Sequence, residues 1–294
     1  MAPRVRSARG AAGPRRHPRI RAPRESTMKR LLIASLALAL LVPACALAQS
    51  AFNGTWKLDA TTVHQSGGEA MVIALKDGMY RCNCHPPIAV KADGQDHAVK
   101  GHAGFDTVAV KVVNDHAIER TFKQDGKVIQ TATITAAPDG KTAIEEFTVY
   151  SGASPSNGKG VLKRVAMGVP GSNAAAGSWR LDHVESGSGS VFDPTYKIEG
   201  NTVTSTAGGD SYTAKLGGKA VANTANGKVN GTVSVKMLGK NTLRETYAND
   251  GKVTSTVTMT VSPDGKSMKM VDHNLKTGVT TTMSHNKMQV ATQR

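Results

Sequence analysis

The sequence predicts an all-β protein, built as two tandem antiparallel meander barrels or sandwiches and preceded by a signal peptide. Three observations carry this reading. One internal repeat spans most of the chain, Asp-Gly turns recur at matching places in both copies, and the runs between turns alternate apolar and polar residues with a period of two. A length of 294 residues is what roughly two modest domains require.

Residues 1–27 are rich in Arg, Pro and Ala and suit neither a folded domain nor an ordinary leader. They read as a disordered extension or as sequence upstream of a start at Met28. The second is favoured because a complete signal peptide, residues 28–48, begins there. Met28-Lys29-Arg30 is its basic region, residues 31–42 its apolar region, and Ala46-Leu47-Ala48 the small residues that signal peptidase needs, which puts cleavage before Gln49. The apolar region falls well short of the ~20 residues of a spanning helix, so no transmembrane anchor is expected. Leu41-Val42-Pro43-Ala44-Cys45 loosely matches a lipobox, but the better-formed Ala46-Leu47-Ala48 site is preferred to a lipid anchor on Cys45. The expected location is periplasmic or secreted.

Beyond the leader lie a first β domain (residues 49–168), a Gly/Ala/Ser linker (169–176) and a second β domain (177–294). Gly54-Thr55-Trp56-Lys57-Leu58-Asp59 recurs as Gly177-Ser178-Trp179-Arg180-Leu181-Asp182, and these segments hold the chain's two tryptophans. Residues 107–141 align without a gap to 232–266, with 16 identities in 35 positions. Both blocks carry Asp-Gly-Lys-Val and Pro-Asp-Gly-Lys turns, at 125–128 and 138–141 in one and at 250–253 and 263–266 in the other. Asp-Gly between β-rich runs predicts a hairpin, because the type I′ turn needs φ > 0 at both central residues. In the second copy Val253, Ser255, Val257, Met259 and Val261 fall on one face, with Thr254, Thr256, Thr258 and Thr260 on the other. Ala132 and Ile134 alternate with Thr131, Thr133 and Thr135 in the first. Further strands are expected near 55–58, 79–82, 88–91, 107–113, 117–123 and 143–150, with counterparts in the second copy.

A Gly-x-Trp on the first strand, followed by a run of hairpins, resembles the lipocalin-like, or calycin, barrels. The resemblance implies that Trp56 and Trp179 each plug a barrel end beneath a basic residue from the last strand. Lys163 or Arg164 matches that role in the first copy, and the second shows no clear equivalent. The chain more closely resembles a family of uncharacterised exported bacterial proteins with Gly-Thr-Trp-Lys-Leu near the mature start. Their strand and hairpin motifs stand here as Asp106-Thr107-Val108-Ala109-Val110-Lys111 and Asp139-Gly140-Lys141-Thr142. This implies an architecture and brings no activity with it.

The formal charge of +15 suggests an anionic partner until it is divided by segment. Residues 1–48 hold ten Lys/Arg and one acid, leaving 27 basic against 21 acidic residues spread without a cluster. Nucleic acid is therefore not an expected partner. No nucleophile elbow, zinc-protease helix or phosphate loop is present, and an enzyme is not the expectation.

Arg81-Cys82-Asn83-Cys84-His85-Pro86-Pro87 has no counterpart in the second copy. Cys82, Cys84 and His85 offer thiolate and imidazole for Zn or Cu, with His97, His102 and His116 as further donors. An oxidising compartment offers the alternative of a Cys82–Cys84 disulfide, and free or redox-active thiols are a third. Asp115-His116, Asp182-His183 and Asp272-His273 pair an acid with an imidazole, but neighbours in a strand face opposite sides, so side-chain bonds within them are not expected. The leading expectation is an exported binding module for a small apolar or amphipathic ligand, held in a barrel or between the two. The alternatives are a metal-binding or redox protein using the cysteine segment, or a structural or interaction protein of the cell envelope.

Overall fold

The computed structural model describes residues 51–102, 104–152 and 154–289; the leader, Cys45 and residues 1–27 lie outside these. Every regular element among the described residues is a β-strand. The first copy supplies β1 (Gly54–Gly67), β2 (Met71–Lys76), β3 (Met79–Cys82), β4 (Ile88–Lys91), β5 (Asp93–Ala98), β6 (Thr107–Asn114), β7 (Ala117–Gln124), β8 (Lys127–Ala136), β9 (Thr142–Val149) and β10 (Ser156–Met167). The second supplies β11 (Gly177–Ser188), β12 (Thr195–Glu199), β13 (Thr202–Ala207), β14 (Asp210–Lys215), β15 (Val221–Ala225), β16 (Lys228–Gly239), β17 (Thr242–Asn249), β18 (Lys252–Val261), β19 (Ser267–Asn274) and β20 (Val279–Lys287).

These strands form two ten-stranded antiparallel sheets, each curled into a barrel, but the barrels do not coincide with the sequence repeats. β1 leaves its own copy and completes the second barrel, pairing with β12 and along β20. β11 completes the first barrel in return, between β10 and β2. The exchange is pinned where each strand hands over to the next. Arg180 of β11 donates to the carbonyls of Gly67 and Gly68 at 2.7 Å each. Gly68 has φ +66°, and a Cβ there would lie 2.6 Å from the Val279 amide nitrogen; at the other handover Gly189 has φ +110°, and a Cβ would lie 2.6 Å from Ser156 Cα. Side chains are excluded from both crossings.

The hairpins follow the sequence reading. Asp125 and Gly126 have φ of 50° and 75°, Asp250 and Gly251 of 48° and 73°, as a type I′ turn demands. Inward positions of the alternating runs make two separate cores, one around Ile73, Val110, Ile118, Ile134 and Trp179, the other around Trp56, Val233, Val235, Leu243 and Met259.

The two barrels differ in closure. In the second, β14 meets β15 through Asp210↔Ala225 and Ser211↔Thr224, which closes the ring. In the first, β4 and β5 are the two ends of an open sheet. Counting back along the β3–β4 and β13–β14 registers, Pro86 and Pro87 stand where Asp210 and Ser211 stand. Proline has no N–H to give to a neighbouring strand, so the ladder ends there. Pro86 packs on Gly101 instead, where a Cβ would come within 2.9 Å of its ring.

Each tryptophan plugs a barrel end beneath a basic side chain, and strand exchange crosses the partners. The guanidinium of Arg164, on β10, lies 3.9 Å over the ring of Trp179; Lys287, on β20, lies 5.2 Å over that of Trp56. Arg164 rather than Lys163 takes the role, and the second copy does have an equivalent, Lys287. The segment 169–176 is also more than a tether. Ala175 and Ala176 are buried, the Ala175 carbonyl accepts from Trp179 Nε1 at 3.0 Å, and Phe52 does the same for Trp56 at 2.8 Å. The composition of 169–176 suits a linker, yet its small residues Ala175 and Ala176 are buried beside the ring.

Candidate functional site

A cleft of about 870 Å³ runs from the mouth of the first barrel across to the second. Its floor is Leu162 and Trp179, and its walls come from the exchanged strands and β20, with Leu58, Leu181, Val184, Val279 and Met283. Phe147 and Phe192, 6.1 Å apart edge to face, flank it. Gly158 clears room for Phe147, since a Cβ would lie 2.3 Å from Cζ of that ring. Polar side chains are interspersed with these, the charged ones being Glu69, Glu145, Lys159, Arg180, Asp272 and Lys276. Lys159 is held above its usual range by hydrogen bonding and charge from Glu185, 3.1 Å away.

The cysteine segment forms part of the cleft wall. Cys82 ends β3 facing the first core and is 6% exposed, whereas Asn83, Cys84 and His85 line the cleft. Cys82 and Cys84 are joined by a disulfide, their Cα atoms 5.2 Å apart, and the Cys84 amide donates to Cys82 Sγ at 3.0 Å. Asn83 fixes the loop by accepting from the Val72 amide at 2.8 Å and donating to the Ala70 carbonyl at 3.0 Å. Of the further donors His97, His102 and His116, the first bonds Asp93 at 2.8 Å and the second stacks on Phe105 at 4.4 Å. Among the described residues no three His, Cys, Asp or Glu side chains converge to hold a metal ion.

One acid–imidazole pair departs from expectation. His183 Nδ1 and Asp182 Oδ2 are 2.9 Å apart, at the surface. The β10–β11 register skips Asp182 at a bulge, Val161 pairing with His183 and Leu162 with Leu181, so the two side chains are no longer opposed. Asp272 and His273 do face opposite ways: His273 bonds Thr280, while Asp272 borders the cleft.

Each barrel also encloses a polar cluster that the sequence reading passed over. In the second, Glu245 is 2% exposed and accepts from Tyr196 at 3.1 Å, from Tyr212, and from Tyr247 at 2.8 Å. Burial pushes the Glu245 carboxyl up, against the three hydroxyls that favour its ionised form. Burial and the facing carboxylate together hold all three tyrosines above their usual range. A polar cavity of about 380 Å³ opens beside Tyr212 and Tyr247, lined also by Ser205, Asn223 and Asp272. Asp272 Oδ1 is buried without a hydrogen-bond partner, and burial raises that carboxyl too. In the first barrel the buried ion is Arg120, paired with Glu145. Burial disfavours its charge, but Glu145 and Tyr80 outweigh that and hold the guanidinium above its usual range. The sequence signal was present: Glu119-Arg120 aligns with Arg244-Glu245, a charge reversal inside a block of identities. No protein-family model matches this sequence and no curated protein matches it, which leaves the cleft and the barrel interiors as the features that bear on function.

Proposed function

We propose that this chain is an exported carrier that holds a small apolar or amphipathic molecule in the cleft between its barrels. The observation that carries the reading is the cleft itself. A space of about 870 Å³ whose walls join aliphatic and aromatic side chains with polar and charged ones is the kind of concavity that buries a small amphipathic ligand. The barrel interiors suit an apolar molecule less well, since one is built around an ion pair and the other, with its smaller polar cavity, around a glutamate and three tyrosines.

Export rests on residues 28–48, and purification from the periplasm of a Gram-negative host tests it together with binding. The binding test uses 1-anilinonaphthalene-8-sulfonate as probe. Trp179 lines the cleft and Trp56 does not, so bound probe quenches Trp179 emission in a Trp56→Phe variant and leaves Trp56 emission unchanged in a Trp179→Phe variant. Filling the cleft with Val184→Trp is expected to weaken binding at least ~tenfold, equivalent to about 1.4 kcal/mol. Unchanged affinity in a folded Val184→Trp protein would remove the cleft from consideration.

A further inference from the structure

The segment that keeps the first barrel from closing also brings two sulfurs to the cleft wall, and the two are not equivalent. Cys84 packs on the first core but also borders the cleft beside His85, while Cys82 is buried in the core and does not line the cleft. A nucleophile entering from the cleft meets Sγ of Cys84 first. The sulfur that must then depart, Sγ of Cys82, already has the Cys84 N–H 3.0 Å away to share its negative charge. Asn83, clamped at both ends of its amide, holds the intervening backbone in place. At the position of Cys82 the second barrel has Ser205, by the matched β3–β4 and β13–β14 registers, so the arrangement belongs to the first barrel alone.

We infer that Cys82–Cys84 is a thiol–disulfide exchange site whose substrate is a thiol small enough to enter the cleft. The substrate thiolate attacks Sγ of Cys84 and forms a mixed disulfide. The Cys82–Cys84 bond breaks, its electron pair leaves on Sγ of Cys82, and that thiolate takes up a proton. A second substrate thiolate attacks the substrate sulfur of the mixed disulfide and releases Cys84, which is protonated in turn. Two thiols are oxidised to one disulfide, and the protein's disulfide is reduced by the same two electrons to two thiols. The site shares the cleft with the carrier reading but does not depend on an apolar cargo.

The test uses the full chain with Cys45→Ser, so that Cys82 and Cys84 are the remaining cysteines of its three. In excess reduced glutathione the folded protein is expected to gain two hydrogens by intact mass while oxidised glutathione accumulates. In oxidised glutathione, Cys82→Ser, which leaves Cys84 at the cleft, is expected to take up one glutathione at least ~tenfold faster than Cys84→Ser, which leaves the buried thiol. A disulfide that survives excess reduced glutathione overturns the inference, as do thiols that stay free in oxidised glutathione, or a Cys84→Ser protein that reacts as fast or faster. The first measurement needs no cysteine variant of the pair and stands if either one misfolds. An inert disulfide in a protein that still binds the anilinonaphthalene probe sinks this inference alone; exchange without probe binding sinks the carrier reading alone.

Discussion

Arg120 on β7 and Glu245 on β17 occupy the same place in the two copies, 125 residues apart in a gapless alignment, and both point into a barrel. One interior therefore holds a buried cation and the other a buried anion, and each recruits different company. Arg120 is answered by Glu145, whose counterpart in the second copy is Met270. Glu245 is answered by tyrosine hydroxyls on β12, β14 and its own strand. The same strand framework accommodates either sign provided that a partner is present, because an uncompensated ion in such a site costs several kcal/mol. What has diverged between the barrels is the solution to one burial problem, together with the seam that is open in the first and closed in the second.

The largest effects are expected from removing one half of either solution. Glu245→Leu leaves three buried hydroxyls without their acceptor, at ~1–3 kcal/mol for each group left unsatisfied, and should lower stability by about 3–5 kcal/mol in urea unfolding. Arg120→Met should cost less, about 2–3 kcal/mol, because Glu145 retains a quarter of its side-chain exposure and can turn to water. Adding Glu145→Met to Arg120→Met installs the residue found at that place in the second copy and should recover all but ~1 kcal/mol. If the double variant is no better than the single one, the two residues are not coupled, and the comparison between the interiors fails on the first barrel's side.

How much of this was legible follows from which interactions are local. The Asp125-Gly126 and Asp250-Gly251 turns fix hairpins from neighbours alone and stand as read, and the alternation is plain at Met259, Thr260 and Val261, but a bulge at Thr254 breaks it and leaves Val253 47% exposed. The Arg81–Pro87 segment could be singled out because copy two lacks it, and its prolines explain the open seam. Strand exchange was not legible. Gly54-Thr55-Trp56-Lys57-Leu58-Asp59 and Gly177-Ser178-Trp179-Arg180-Leu181-Asp182 are near-equivalent strands that suit either barrel, so nothing local assigns them. For the same reason Arg164 could be matched to a tryptophan, but not to the one in the other copy. The tyrosines around Glu245 come from strands 33 and 49 residues away as well as from its own, and a lone acid in an apolar alternation does not announce them.

The two plugs sharpen the comparison at a smaller scale. Arg164 covers Trp179 and also donates to three carbonyls, those of Gly140, of Ala174 at 2.6 Å and of Ala176 at 2.7 Å. Lys287 lies farther from its ring and, among the described residues, donates only to Ala51, at 3.2 Å. Arg164→Met should cost about 2–3 kcal/mol and Lys287→Met about 1 kcal/mol, since the cation–π component is similar and the difference lies in the carbonyls left bare. Equal losses would mean that the ring contact dominates both.

The smallest effect is the one whose sign separates the barrels most clearly. Folding raises the Glu245 carboxyl above its ordinary value of 4.5, chiefly through burial, so the folded state holds that proton more tightly than the unfolded chain. Stability from this group is therefore greatest below the ordinary value, falls as pH rises through the raised one, and stays reduced beyond it. Asp106, at the rim of the first barrel, has the opposite sign. The Asp125 amide and the Thr107 hydroxyl hold its carboxyl below 3.8, so its contribution is present above that value and is lost as pH falls. Glu245→Gln keeps an acceptor for the tyrosines but cannot ionise. Its melting temperature relative to the parent should improve by about 2–4 °C between acid and neutral pH, the shift expected of ~1 kcal/mol in a chain of this size. Asp106→Asn should instead fall behind the parent as pH rises through the same range. A Glu245→Gln curve parallel to the parent at every pH would show that the three hydroxyls offset burial, and one that fell behind as pH rose would show that they outweigh it.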